Sequence, residues 1–230
     1  MRTTLNQETS GIGAQAVLFD LDGTLADTAP DLARALNRVR ASQRLAPLAV
    51  ETTRPYTSSG ARGLLKIGFG LEPGDERYET LKLEFLQFYA AEICVDTTLF
   101  DGMAELLDRL DQERLRWGVV TNKAERFTLP LLRGLHLHER AACIVGGDTA
   151  ARPKPHPDPL LHAAATLRLL PSACLYVGDD LRDVQAARAA GMPVIAAKYG
   201  YLGDGGSIES WQADAIIEHP REVLEYLRVS

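Results

Sequence analysis

The chain has 230 residues, 46% of them hydrophobic, and a formal net charge of -6. That apolar content supports a packed core and excludes a disordered chain, and the acidic balance excludes a nucleic-acid-binding surface. No apolar run reaches membrane-spanning length, so no membrane partner is expected, and three scattered cysteines, Cys94, Cys143 and Cys174, suit a reducing cytoplasm.

Residues 1–13 read as a polar leader without the apolar segment of a signal peptide. Ala16-Val17-Leu18-Phe19 has the compact apolar pattern of a buried parallel strand, and it ends in Asp20-Leu21-Asp22-Gly23-Thr24. Carboxylates at that end lie where open α/β sheets bind ligands. Asp20, with an ordinary pKa of about 4, is ionised at neutral pH and is a usable nucleophile. Asp22 can protonate a leaving alkoxide and then deprotonate water. Two carboxylates this close favour a hard cation such as Mg2+. Gly23 allows a close backbone approach to an anion. A plain surface turn also uses Asp and Gly, but the longer string through Ala26-Asp27-Thr28 is more specific.

Thr28-Ala29-Pro30-Asp31 predicts a helix start, with Thr28 as cap and Asp31 at the positive helix end. Leu32, Leu36 and Val39 continue at helical spacing, and Tyr78, Leu81, Phe85 and Phe88 suggest another amphipathic helix. No strand is evident before about Thr98, so residues 27–98 read as an all-helical insertion, placed to cover the pocket. Within it, Gly60, Ala61 and Arg62 open a helical pattern whose N-terminus is expected to face a substrate, with Arg62 clamping an anionic part. An ordinary interhelix loop with a solvated Arg62 is the competing reading.

The chain returns through Phe100-Asp101-Gly102 to a helix carrying Met103, Leu106, Leu107 and Leu110. A second buried strand, Trp117 to Val120, ends in Thr121, Asn122 and Lys123. The Thr121 hydroxyl can donate to a phosphate oxygen, or Thr121 or Asn122 can cap the next helix. A third strand, Ala142 to Val145, leads to Arg152-Pro153-Lys154-Pro155, whose prolines hold Lys154 in a stiff segment suited to neutralising a carboxylate and a phosphate. A fourth strand, Leu175 to Val177, ends in Gly178-Asp179-Asp180-Leu181-Arg182-Asp183. Asp179 and Asp183 can add ligands to the cation, with Asp180 expected to cap the helix that Gly191 ends. Pro193 to Ala197 reads as a fifth strand, Tyr199 to Gly206 as a mobile loop, Asp214 to Ile217 as an edge strand, and Val223, Leu224 and Leu227 as a final helix. Strands separated by helices predict a doubly wound parallel α/β sheet, with residues 14–26 and 99–230 forming its domain.

Taken together, Asp20-Leu-Asp22-Gly-Thr-Leu-Ala-Asp27-Thr28, Thr121-Asn122, Lys154 and Gly178-Asp179 resemble the four motifs of the haloacid dehalogenase superfamily, whose phosphatases pass through a phospho-aspartate. The resemblance implies a Rossmann-like core with an inserted helical cap, and a Mg2+-dependent hydrolase of a small phosphorylated metabolite. It makes Asp20 the nucleophile, Asp22 the general acid and then base, Thr121 the phosphoryl holder with Asn122 beside it, and Lys154 the bridge. It places Mg2+ on Asp20, the Asp22 backbone carbonyl and Asp179, supported by Asp183. Family dehalogenases lack the second acid and the related ion pumps carry Thr there, so Asp22 points to a phosphatase. Gly146-Gly147-Asp148 with Pro153 to Pro159 is similar to phosphoglycolate phosphatases. Leu99 to Leu107, Trp117 to Lys123 and Tyr199-Gly200-Tyr201 are more similar to N-acetylmuramic acid 6-phosphate phosphatases. A sugar phosphomutase of the same superfamily and a non-catalytic binding module are the alternatives. A monomer and a homodimer are both compatible with the sequence.

Overall fold

The computed structural model describes residues 13–227, so residues 1–12 of the leader expected at 1–13 lie outside the described residues. Among the described residues, eight strands and eight α-helices follow in chain order. They are β1 (Ala16–Phe19), β2 (Ala26–Asp27), α1 (Ala29–Ser42), α2 (Val50–Thr53), α3 (Gly60–Phe69), α4 (Tyr78–Ala91), β3 (Thr98–Leu99) and α5 (Met103–Gln112). Then come β4 (Arg116–Val120), α6 (Glu125–Gly134), β5 (Ile144–Val145), α7 (Asp158–Leu167), β6 (Cys174–Gly178), α8 (Leu181–Ala190), β7 (Val194–Ala197) and β8 (Ala215–Ile217). The predicted final helix is a 3-10 segment, Pro220–Tyr226.

Six strands form one parallel sheet in the order β5-β4-β1-β6-β7-β8. The fold is the expected doubly wound α/β architecture. β1 sits between β4 and β6, with Phe19 opposite both Val119 and Val177. The alternation along β1 explains why it is apolar throughout. Val17 and Phe19 pack with Met103, Leu106 and Leu131 on one face. Ala16 and Leu18 pack with Leu160, Ala164 and Val184 on the other. After β5 the chain crosses back over β1 to β6, so the strand order reverses beside β1 and opens a crevice at the strands' C-terminal ends.

The stretch from α1 to α4 builds a separate helical core from Leu32, Leu36, Leu64, Leu65, Leu81, Phe85 and Tyr89, joined by Phe127 of α6. On α4 the buried face is Tyr78, Leu81, Phe85 and Tyr89, with Phe88 only partly buried. No strand falls between residues 28 and 97, as expected. The segments entering and leaving this stretch pair as a two-residue antiparallel ribbon, β2 with β3. Ribbons this short carry no periodic pattern to read.

One expectation changes at α1. Thr28 does not cap the helix; its hydroxyl donates to Asp22 Oδ1 at 2.5 Å. The freed Ala29 N–H instead donates to the Tyr201 hydroxyl at 2.9 Å. Asp31 lies in the first turn of α1 as expected, and it is also a buried anchor. It accepts from the backbone N–H groups of Val95, Asp96 and Thr97 and from the Thr97 hydroxyl, and it pairs with Arg34 at 2.5 Å. Burial opposes ionisation of Asp31, but these donors outweigh it and hold the carboxyl below its usual range. A depressed folded-state value contributes stability above the unfolded value of about 3.9, and that contribution is lost as pH falls through the folded value. Asp31→Asn, which turns an amide NH2 toward N–H donors, is expected to cost about 2–3 kcal/mol at pH 7. In urea unfolding, the difference from wild type should shrink below about pH 4; a gap that stays constant there would contradict this account.

Candidate active site

The crevice gathers side chains from four strand ends. β1 delivers Asp20 and Asp22, β4 delivers Thr121 to Lys123, the segment after β5 delivers Lys154, and β6 delivers Asp179 with Asp183 on α8. Lys154 is buried, and its Nζ lies 2.9 Å from Asp20 Oδ1 and 2.7 Å from Asp183 Oδ1. The Val120 carbonyl and the Tyr176 hydroxyl complete its surroundings at 3.1 and 2.8 Å. Burial alone would lower the Lys154 pKa, yet Asp183 and Asp20 raise it, so the ammonium persists through neutral pH. Asn122 fixes the lysine's backbone, accepting from Lys154 N–H and donating to Lys154 C=O, both at 2.9 Å. Its amide is therefore committed to holding the lysine, although Asn122 still borders the cavity.

Asp20, Asp179 and Asp183 each offer an oxygen within 4.8 Å of the others. Burial, opposed by the Lys154 charge and reinforced by the Asp183 charge, leaves the Asp20 carboxyl raised to about 7. Asp179 is pushed well above its ordinary value by burial and then by Asp20 and Asp183. One lysine does not offset three clustered carboxylates, and a hard cation bound to their oxygens would favour the ionised forms of Asp20 and Asp179. The donor set thus fits such an ion. Asp179 is oriented by the Thr24 hydroxyl at 2.7 Å and by Tyr201 N–H at 2.8 Å. Gly23, at φ +90°, is required here because a Cβ would overlap the Asp179 carboxylate.

The Asp22 side chain turns away from this cradle. Lys123 Nζ holds both its oxygens, at 2.8 and 3.0 Å, and Thr28 donates to Oδ1. The Lys123 ammonium also lies 4.8 Å from the ring centre of Tyr89 on α4. Burial opposes the Lys123 charge, but Asp22 outweighs it and raises the pKa. Sequence reasoning missed Lys123. The available signal was its place two residues after Thr121 at a strand end. Thr121 is buried, and its Oγ1 accepts from Lys123 N–H at 3.1 Å, which leaves its own proton free to donate.

Asp180 caps α8 as expected. It accepts from Arg182 N–H at 2.9 Å, while Asp183 Oδ2 accepts from Asp180 N–H at 3.0 Å, a reciprocal capping box that also fixes Asp183. Tyr199 and Tyr201, expected in a mobile loop, are tied to the segment after β1 by hydrogen bonds. The Tyr199 hydroxyl donates to Thr24 C=O at 3.1 Å, and the Tyr201 hydroxyl donates to Asp27 at 2.8 Å.

A cavity of about 330 Å3 lies over Asp20 and Asp22. Gly60 and Ala61 border it from the helical stretch. Arg62 does not. Its side chain is 67% exposed, pairs with Glu72 at 3.3 Å and lines a separate depression with Tyr56 and Lys66. One residue beyond Ala61, about 100° further around α3, Arg62 faces away from the cavity, so the anion clamp expected there is corrected. Arg182 borders the cavity instead, paired with Asp180 at 2.8 Å and donating to the Ser58 carbonyl at 2.7 Å.

The haloacid dehalogenase-like hydrolase family profile matches residues 17–197. The chain belongs to that family. As a haloacid dehalogenase-like hydrolase it is 42% identical, over 93% of its length and 96% of the relative's, to the N-acetylmuramic acid 6-phosphate phosphatase of Pseudomonas putida. It is 45% identical, over 92% of its length and 95% of the relative's, to the phosphoglycolate phosphatase of Xanthomonas campestris pv. campestris. A crystal structure of a predicted phosphoglycolate phosphatase from Haemophilus somnus superposes with a TM-score of 0.82 at 26% identity, covering 93% of this chain and 97% of that one. Among the described residues no helix of this hydrolase is long and apolar enough to cross a membrane.

Proposed function

We propose that the chain is a Mg2+-dependent phosphomonoesterase of small phosphorylated metabolites, working through an aspartyl-phosphate on Asp20. The observation that carries this reading is the contact of Lys154 Nζ with Asp20 at 2.9 Å, inside a cradle completed by Asp179 and Asp183. Asp20 Oδ1 is held by Lys154 and by Leu21 N–H at 2.7 Å, which leaves Oδ2 to attack phosphorus. As that P–O bond forms, the ester P–O bond breaks and Asp22 delivers a proton to the departing alkoxide. Thr121 and Lys154 donate to the phosphoryl oxygens as charge develops there. Asp22, now ionised and held by Lys123 and Thr28, takes a proton from water. That water opens the aspartyl-phosphate and releases inorganic phosphate. Mg2+, held by Asp20, Asp179 and Asp183 with the Asp22 backbone carbonyl, would neutralise phosphate charge and keep Asp20 ionised.

Residues 27–98 act in this reading as a cap over the crevice, with Gly60 and Ala61 on the substrate side. The buried free thiols of Cys143 and Cys174 suit a reducing cytoplasm. The names of the relatives make phosphoglycolate and N-acetylmuramate 6-phosphate the first substrates to test. Inorganic phosphate should be released from at least one of these two or from p-nitrophenyl phosphate. Release should cease in excess EDTA and return with Mg2+. Full turnover in the chelator would remove the metal from the proposal, and no turnover of any of the three would remove the phosphatase.

A further inference from the structure

Tyr176 is a buried phenol to which the proposed reaction gives no part. It lies on β6, the strand beside β1, shortly before Asp179. Its ring belongs to the apolar cluster of Leu18, Leu160 and Val184, a place that phenylalanine would fill as well. Packing therefore does not require the hydroxyl. A hydroxyl inside a central strand is costly to desolvate unless it is hydrogen-bonded. This one is bonded on every side. Its oxygen lies 2.8 Å from Lys154 Nζ, 2.9 Å from the Val120 carbonyl and 3.1 Å from Asp183 Oδ1.

Counting protons shows what the hydroxyl does. An ammonium has three N–H donors. Around Lys154 Nζ stand four acceptors: Asp183 Oδ1 at 2.7 Å, Tyr176 Oη at 2.8 Å, Asp20 Oδ1 at 2.9 Å and the Val120 carbonyl at 3.1 Å. In the proposed reaction a phosphoryl oxygen draws on the same donors. Tyr176 relieves this competition at Val120. Its single O–H donates there over the shorter distance, 2.9 against 3.1 Å, so the carbonyl does not need the ammonium. Its oxygen meanwhile accepts from Nζ as a neutral group, which anchors the lysine without adding charge to the carboxylate cluster. Without the hydroxyl, the Val120 carbonyl would compete for Nζ and draw it from Asp20.

We propose that Tyr176 is a positioning residue for phosphoryl transfer: its hydroxyl satisfies the Val120 carbonyl and holds Lys154 Nζ in reach of Asp20 and of the phosphoryl group. This rests on the phosphatase reading. Tyr176 does not border the cavity, so it acts through the lysine and not on the substrate. Its contribution is made to the transferring group and is the same whatever alcohol departs. Preorganisation of this kind is felt as charge develops in the transition state, and so in kcat more than in KM.

The test is a double-mutant cycle of Tyr176→Phe with Lys154→Met, on p-nitrophenyl phosphate, phosphoglycolate and N-acetylmuramate 6-phosphate with Mg2+. Far-UV circular dichroism at the assay temperature gives the folded fraction, and kcat is counted per folded molecule. Lys154→Gln replaces Lys154→Met if the latter does not fold. Tyr176→Phe alone should lower kcat roughly tenfold, the factor carried by one hydrogen bond, with KM within about twofold of wild type. The factor should be equal on every ester that turns over. Once Lys154 is replaced, Tyr176→Phe should lower kcat no further, because the group it acts through is gone. A merely structural hydroxyl would lower Tm and cost the same factor with or without the lysine. A Tyr176→Phe kcat equal to wild type, an equal loss in both backgrounds, or a Tyr176→Phe chain that does not fold overturns the positioning role while the phosphatase stands. Absence of wild-type turnover on all three esters overturns the phosphatase reading and the positioning role with it.

Discussion

Asp20→Asn is expected to lower phosphate release by about 10⁵-fold or more while leaving the fold in place, the scale seen when an enzyme loses its nucleophile. The amide is neutral and cannot form the acyl-phosphate, so the loss falls on the chemical step. The amide oxygen still accepts from Leu21 N–H and from Lys154, whose contacts in the native site are 2.7 and 2.9 Å. Volume is unchanged, and one member of a repelling carboxylate cluster is removed, so stability should not fall. Malachite-green phosphate assays together with far-UV circular dichroism measure both halves. Activity within tenfold of wild type, with the fold intact, would move the nucleophile away from Asp20.

Lys154→Met should impair both catalysis and stability. The ammonium lies between Asp20 and Asp183 and is buried. Its removal leaves the two carboxylates facing each other without the charge that offsets them, a change that costs about 3–5 kcal/mol when one partner of a buried pair is removed. The loss of a preorganised cation at the phosphoryl group should lower kcat by about 10²–10³-fold. A divalent ion bound by Asp20, Asp179 and Asp183 supplies part of the missing charge, so Mg2+ should recover some of the lost Tm but little of the kcat. Thermal melts and steady-state kinetics with and without Mg2+ separate the two effects. A variant as stable as wild type in EDTA would show that the cluster does not depend on Lys154.

The parts of this site that could be read from sequence are those whose chemistry is written locally. Asp20, Asp22, Thr121, Lys154 and Asp179 each follow an apolar run or sit between prolines, so strand ends alone place them together. The roles that escaped notice act through partners far away in the chain. Lys123 meets Asp22 across 101 residues, and Asp31 holds backbone N–H groups 64 to 66 residues onward. No periodicity marks such a pair. Thr28 shows how a sound local rule is overridden. It stands at the position of a helix cap, but Asp22 takes its hydroxyl and Tyr201 supplies the donor's partner at Ala29 from 172 residues away. Arg62 failed for a different reason. One residue of phase on a helix moves a side chain by about 100°, and the start of α3 could not be fixed that finely from a run of small polar residues.

β2 and β3 have a mechanical implication. The two strands through which the helical stretch joins the sheet domain are hydrogen-bonded side by side, Ala26 with Leu99 and Asp27 with Thr98. A body hung on a single strand can swivel and drift, whereas twin straps locked in register behave like a door leaf on its pin. Sliding or twisting of the helical stretch against the sheet would first have to break these paired strands.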